Sequence, residues 1–155
     1  MITFFLNGRE VSTQARPDLR LLDLLRDEFS LTGVKCGCRE GECGACSVIL
    51  DGRLVNSCLV AVGSLGGSSV LTIEGYRNTE RFAVLDRTYG ETGAVQCGFC
   101  TPGMILASEC LLAKHPNPTE EEIRDGISGN LCRCTGYQAI VDSIRMAAKE
   151  GRGLW

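Results

Sequence analysis

Apolar and polar positions change their rhythm about halfway along the chain. Residues 2–6 are apolar and β-prone, and Asn7-Gly8 is a strong two-residue hairpin signal, so residues 9–14 are expected to return as a second strand. Pro17 to Glu28 has helical spacing. Leu19, Leu22 and Leu25, with Leu21 and Leu24 beside them, make an apolar face, and Arg20, Asp23, Arg26 and Asp27 a wet one. Gly33 is the expected stop. Gly37 to Gly44 is too rich in glycine for regular structure. Ser47 to Leu50 reads as a strand, Asp51-Gly52 as a second hairpin turn, Arg53 to Leu59 as the return, and Val70 to Ile73 as a last short strand. Strand–strand–helix–loop–strands predicts a small α+β sheet packed on one helix.

After Gly75 the period becomes helical. Arg81 to Tyr89 is one expected helix. Thr101-Pro102 reads as an N-cap with proline at the first helical position, opening a helix that runs to Lys114. Thr119 with Glu122 has the form of a capping box, and a short helix should follow to about Ile127. Tyr137 to Glu150 is the fourth helix, with Ile140, Val141, Ile144 and Ala148 inward and Gly151 past its end. The fold class is therefore α+β: a sheet domain over residues 1–76, then an all-α four-helix domain over residues 77–155. Cys100-Thr101 and Cys134-Thr135 each put a cysteine before a threonine at an expected helix start, which suggests two helix–loop–helix units related by an approximate two-fold.

Composition narrows the class. A net charge of −3 with 44% hydrophobic residues is an ordinary globular balance and gives no basic nucleic-acid footprint. No apolar run approaches the ~20 residues needed to cross a membrane. Ten cysteines could suit a secreted disulfide scaffold, but Met1 to Gly8 lacks the basic start and the length of a signal peptide. A reducing cytoplasm is the expected compartment, with metal rather than disulfides explaining the cysteines.

Eight of those cysteines form two sets. Cys38, Cys43, Cys46 and Cys58 have the C-x4-C-x2-C…C spacing of plant-type [2Fe–2S] ferredoxins. Cys97 and Cys100 (C-x-x-C) with Cys132 and Cys134 (C-x-C) form the second. Soft thiolates suit iron–sulfur clusters, and Gly37, Gly41 and Gly44 let the first loop approach closely and aim N–H groups at sulfur. The competing reading is structural zinc, although zinc ribbons prefer paired C-x-x-C knuckles. For the second set, spacing alone also leaves zinc or a dithiol redox pair open. Cys100 and Cys134 beside expected helix N-termini, with Gly98 and Gly136 next to ligands, favour a cluster. Two clusters would take the loaded chain to a net charge of roughly −7.

Gly37-Cys38-Arg39-Glu40-Gly41-Glu42-Cys43-Gly44-Ala45-Cys46 resembles the first cluster loop of the molybdenum hydroxylases, the xanthine oxidase family. Gln96-Cys97-Gly98-Phe99-Cys100-Thr101-Pro102-Gly103-Met104 and Gly129-Asn130-Leu131-Cys132-Arg133-Cys134-Thr135-Gly136-Tyr137 resemble the second. The resemblance implies a β-grasp [2Fe–2S] domain followed by a four-helix [2Fe–2S] domain, in the small iron–sulfur subunit of a multi-subunit oxidoreductase. It implies a heterotrimer, and a dimer of such heterotrimers, with molybdopterin dinucleotide on a large subunit and FAD on a medium one. Single electrons would pass from the molybdenum centre through the cluster of Cys97, Cys100, Cys132 and Cys134, then that of Cys38, Cys43, Cys46 and Cys58, to FAD. Gln96 and Cys134 would touch the pterin, and no residue of this chain would be catalytic. A free-standing two-cluster ferredoxin and a zinc-stabilised interaction module are the alternatives.

The remaining residues of note have plainer expectations. Cys36 has no partner in the motif and is expected to be an unligated thiol. Cys110 should be a core cysteine of its helix. His115, the only histidine, stands at a helix end with no nucleophile arranged around it.

Overall fold

The computed structural model describes residues 1–155. Two hairpins build the sheet: β1 (Ile2–Leu6) with β2 (Arg9–Thr13), and β3 (Ser47–Leu50) with β4 (Arg53–Asn56). Both turn through consecutive left-handed residues, Asn7 and Gly8 (φ 51° and 79°) and Asp51 and Gly52 (48° and 78°). That handedness matches the twist of the flanking strands. β5 (Ser69–Leu71) lies parallel to β1 and antiparallel to β3, joining the hairpins into one sheet of order β2-β1-β5-β3-β4.

Successive residues of β3 serve two cores. Val48 packs with Phe4, Leu6 and Val70 against Leu21, Leu22, Leu24 and Leu25 on one face, and Ile49 joins the helical core on the other. The period-two alternation of a strand is the cause. The sheet thus lies between the first helix and the helices that follow β5.

The first helix, α1, is shorter than its leucine spacing predicts. It opens as Leu21–Asp23 and widens into a π-type ladder over Leu24–Glu28. Residues 19–21 are drawn into a strand-like bridge instead: Leu21 N–H donates to the Val60 carbonyl (2.8 Å) and Val62 N–H to that of Leu19 (2.9 Å). The stop is Ser30, left-handed at φ 56°, rather than Gly33. Gly33 is small for another reason, since a Cβ there would strike Ile73 and the Glu74 carboxylate.

The last strand also ends early. Thr72 N–H bonds the Asn7 side chain (2.8 Å), and the chain turns into α2 (Ile73–Tyr76). Then come α3 (Glu80–Glu91), α4 (Thr101–Lys114), α5 (Glu120–Gly126) and α6 (Gln138–Glu150). Met104, Leu106, Leu112, Ile123, Ile140, Val141 and Ile144 fill the core between them. Buried hydroxyls pair with one another, as Tyr89 with Ser108 (2.9 Å) and Ser143 with Thr88 (3.0 Å). No helix is long and apolar enough to cross a membrane.

Candidate metal centres

The first cysteine loop is pinned from both sides of the sheet domain. Arg39 takes a left-handed φ of 62°, and its Nη2 donates to both carboxylate oxygens of Asp23 in α1, at 2.6 and 2.8 Å. Asn56 Nδ2 donates to the Gly41 carbonyl (2.7 Å). With the loop held, three backbone N–H groups, of Glu40, Glu42 and Cys43, point at Cys38 Sγ at 3.3–3.4 Å. Cys38 N–H in turn donates to Cys43 Sγ at 3.3 Å. The Glu40 N–H leads in lowering the Cys38 thiol to about 7, with those of Cys43 and Glu42 adding to it. Gly37 is required here, because a Cβ would sit 2.6 Å from Cys43 Sγ.

Cys46 and Cys58 are both buried. Cys58 does not lie on the return strand. Ser57 donates to the Cys46 carbonyl through both N–H (3.2 Å) and Oγ (2.8 Å), which bends the chain into the 3-10 turn Ser57–Leu59 that carries Cys58. Burial first, then the neighbouring sulfur, pushes the Cys58 thiol up to about 11.

In the second set, Cys97 and Cys134 are exposed, with sulfurs 3.6 Å apart. Cys100 is half-buried and Cys132 buried, and burial first, then the Cys132 side chain, pushes the Cys100 thiol up to about 12. Cys100 itself is the residue before α4, so Thr101 is the first helical residue and not the cap. Thr135 likewise lies outside α6, which starts at Gln138 after a left-handed Tyr137 (φ 71°). The two units therefore echo each other less closely than the sequence predicts. Burial alone would raise the Cys132 thiol, but the Thr135 hydroxyl and the local N–H groups bring it down on balance.

The loops meet. Leu131 N–H donates to the Cys43 carbonyl (2.9 Å), and Asn130 Nδ2 donates to the Gly44 carbonyl (2.9 Å) and to Ser47 Oγ (3.1 Å). Gly44 has φ 68°, and a Cβ there would collide with the Gly129 carbonyl. A Cβ on Gly103 would lie 2.5 Å from the Gly44 carbonyl. Asn130 is the residue that sequence reasoning missed. Its position two residues before Cys132, behind Gly129, was the available signal.

These residues fit binuclear clusters. No three His, Cys, Asp or Glu side chains converge where one metal ion could bind them. The Cys97 and Cys134 sulfurs lie 3.6 Å apart, and eight soft thiolates in two sets of four are the donors that two binuclear clusters take. N–H groups aimed at Cys38 Sγ are the hydrogen bonds that tune such sulfurs. Gln96 is exposed beside Cys97, along a stretch in which Val95 and Phe99 are 43% and 48% exposed. Cys36 is half-buried, with Arg39 at 3.6 Å from its sulfur. Cys110 is half-buried at the edge of the helical core, and His115 faces Glu122 at the surface.

Residues 4–65 match the family described as a 2Fe-2S iron-sulfur cluster binding domain, and residues 72–145 one described as a [2Fe-2S] binding domain. The chain is 50% identical over 149 residues to the nicotinate dehydrogenase small FeS subunit of Eubacterium barkeri, covering 96% of this chain and 95% of that one. It is 45% identical over 141 residues to the xanthine dehydrogenase iron-sulfur-binding subunit of Escherichia coli O157:H7, covering 90% and 88%. Its structure is similar to a chain of quinoline 2-oxidoreductase from Pseudomonas putida 86, with TM-score 0.91 and 39% identity over 97% and 94% of the two. With both halves matched to [2Fe–2S] domains and likeness running nearly end to end, the chain belongs to the xanthine oxidase family of molybdenum hydroxylases as a small iron–sulfur subunit.

Proposed function

We propose that this chain passes single electrons between a molybdopterin centre on a large partner subunit and FAD on a medium one, as part of a dimer of heterotrimers in the cytoplasm. Cys97, Cys100, Cys132 and Cys134 would hold the cluster nearer molybdenum, in a helical module over residues 77–155. Cys38, Cys43, Cys46 and Cys58 would hold the other, in a sheet module over residues 1–76. A [2Fe–2S] cluster, when bound, takes up and releases one electron without a proton.

The single observation that carries this reading is the joint between the loops, where Leu131 N–H meets the Cys43 carbonyl at 2.9 Å. It sets residue neighbours of the two ligand sets in direct hydrogen-bonded contact. Cys97 and Cys134 face outward, while Cys132 is buried on the side of the joint. That polarity suits entry at the exposed pair and exit through the buried one. Gln96, with Val95 and Phe99 exposed near it, supplies an amide and apolar surface for a partner holding the pterin, and Cys134 stands at the same outer edge. The residues of this chain bind, orient and insulate; bond-making on the substrate belongs to the partner.

The test is anaerobic purification of the native complex. About four irons and four sulfides per chain, two distinct rhombic paramagnetic signals on reduction, and copurifying molybdenum and FAD subunits are expected. Two signals in a chain that purifies alone would favour a free-standing ferredoxin. Stoichiometric zinc in a colourless protein would sink both. Gln96→Ala should slow substrate-driven cluster reduction while leaving cluster-to-flavin transfer unchanged.

A further inference from the structure

We infer that the Thr135 hydroxyl sets the reduction potential of the cluster held by the second cysteine set. The inference rests on the cluster reading above and goes beyond it to one side chain that binds no metal. Thr135 Oγ donates to Cys132 Sγ at 3.0 Å. The same oxygen accepts the Tyr137 N–H at 3.2 Å. With a lone pair so occupied, the hydroxyl hydrogen is directed at the sulfur. The Tyr137 hydroxyl closes the ring by accepting the Cys132 N–H at 2.9 Å. Cys132 is thereby clasped through its amide and its sulfur by two residues that follow the C-x-C pair.

The clasp has a visible cost. Tyr137 adopts φ 71° next to Gly136 at 64°, and a left-handed bulky residue is strained. Helix α6 starts only after it, so the segment forgoes a continuous helix from Thr135 to keep the ring. The hydroxyl is also one-sided. Thr101, which follows Cys100, is built into the first turn of α4.

Taking up one electron adds negative charge to the cluster and its thiolates, and no proton need move with it. An O–H donor on sulfur stabilises that added charge and so favours the reduced form. Removing the donor should therefore lower the potential of this cluster and leave the other alone.

The experiment uses the full chain in its purified complex, titrated by potential and followed by paramagnetic resonance. Thr135→Val, which keeps the shape and loses the donor, is expected to retain both signals with native iron and sulfide. One cluster should become about tenfold harder to reduce, equivalent to about 59 mV for one electron. Thr135→Ser keeps the hydroxyl and should stay within about threefold of the native value. Unmoved potentials in the valine variant, an equal shift of both clusters, or a serine variant displaced as far as valine would overturn the inference. If the valine variant does not load, Thr135→Ala carries the same comparison. Exchange into heavy water adds an independent reading, because the native protein should show one more strongly coupled exchangeable deuteron on this cluster than the valine variant; identical deuteron couplings in the two overturn the inference. Native material lacking iron altogether would instead remove the cluster reading on which it rests.

Discussion

At the scale of single residues, close approach decides more than ligand chemistry does. Gly44 is both left-handed and pressed against the Gly129 carbonyl. Alanine there must bear a strained backbone and push the two cysteine loops apart. Gly44→Ala should lower stability by about 2 kcal/mol or more and reduce iron content at both sites, read by thermal unfolding and metal analysis. Gly52→Ala is the control, since its Cβ would meet nothing within 4 Å at a similar φ of 78°. It should cost the backbone strain alone, about 1 kcal/mol, with iron unchanged.

At the scale of elements, local signals succeeded where the element answers only to itself. α5 is the case in point. Thr119 and Glu122 form a capping box, with Thr119 N–H donating to the Glu122 carboxylate at 2.7 Å and Glu122 N–H to Thr119 Oγ1 at 3.2 Å. Thr119→Ala should destabilise the protein by about 1 kcal/mol in denaturant titration. The Thr119 N–H, then its hydroxyl, holds the Glu122 carboxyl below its usual value of 4.5. A carboxyl lowered on folding adds stability that is present above its unfolded pKa and lost as pH falls through the folded one. Native stability should therefore fall below about pH 4.5 more steeply than that of Glu122→Gln, a difference that equal slopes would refute. α1 is the opposite case. Its leucines predict a helix from Pro17, but residues 19–21 bond to residues 60–62, about forty positions away, and the first turn is given up to that pairing. Cys58 tells the same story, since its 3-10 turn depends on Ser57 reaching the Cys46 carbonyl.

At the scale of the molecule, one buried carboxylate ties the tail to the core. Glu109 of α4 accepts hydrogen bonds from the Tyr76 hydroxyl (2.6 Å), Trp155 Nε1 (2.7 Å) and Arg81 (2.8 Å). Arg81 also donates to the Leu154 carbonyl (2.6 Å) and lies 6.0 Å from the centre of the Trp155 ring. Removing the acceptor strands three donors, though Arg81 keeps partial access to water. Glu109→Ala should cost about 2–3 kcal/mol and free Trp155 fluorescence, while Glu109→Gln, which still accepts, should cost about 1 kcal/mol. An unchanged melting temperature in the alanine variant would show that this network contributes nothing to holding the tail.

The division between what was written in the sequence and what waited for the fold follows from the range of each interaction. Hairpin turns, the capping box and the short cysteine motifs depend on neighbours within a few positions, so Asn7-Gly8, Asp51-Gly52, Thr119 with Glu122, and the C-x4-C-x2-C, C-x-x-C and C-x-C spacings could be read directly. The chemistry of the chain was legible for the same reason, because a ligand loop carries its own spacing. What joins the parts was not legible. That Asn130 would brace Gly44 across 86 positions, that Glu109 would gather Tyr76, Arg81 and Trp155, and that the Cys97 and Cys134 sulfurs would come within 3.6 Å of each other depends on chain segments distant in sequence. Local propensity has no term for such meetings. Burial of the two shared cores does, and it exists only once the sheet has closed between α1 and α4.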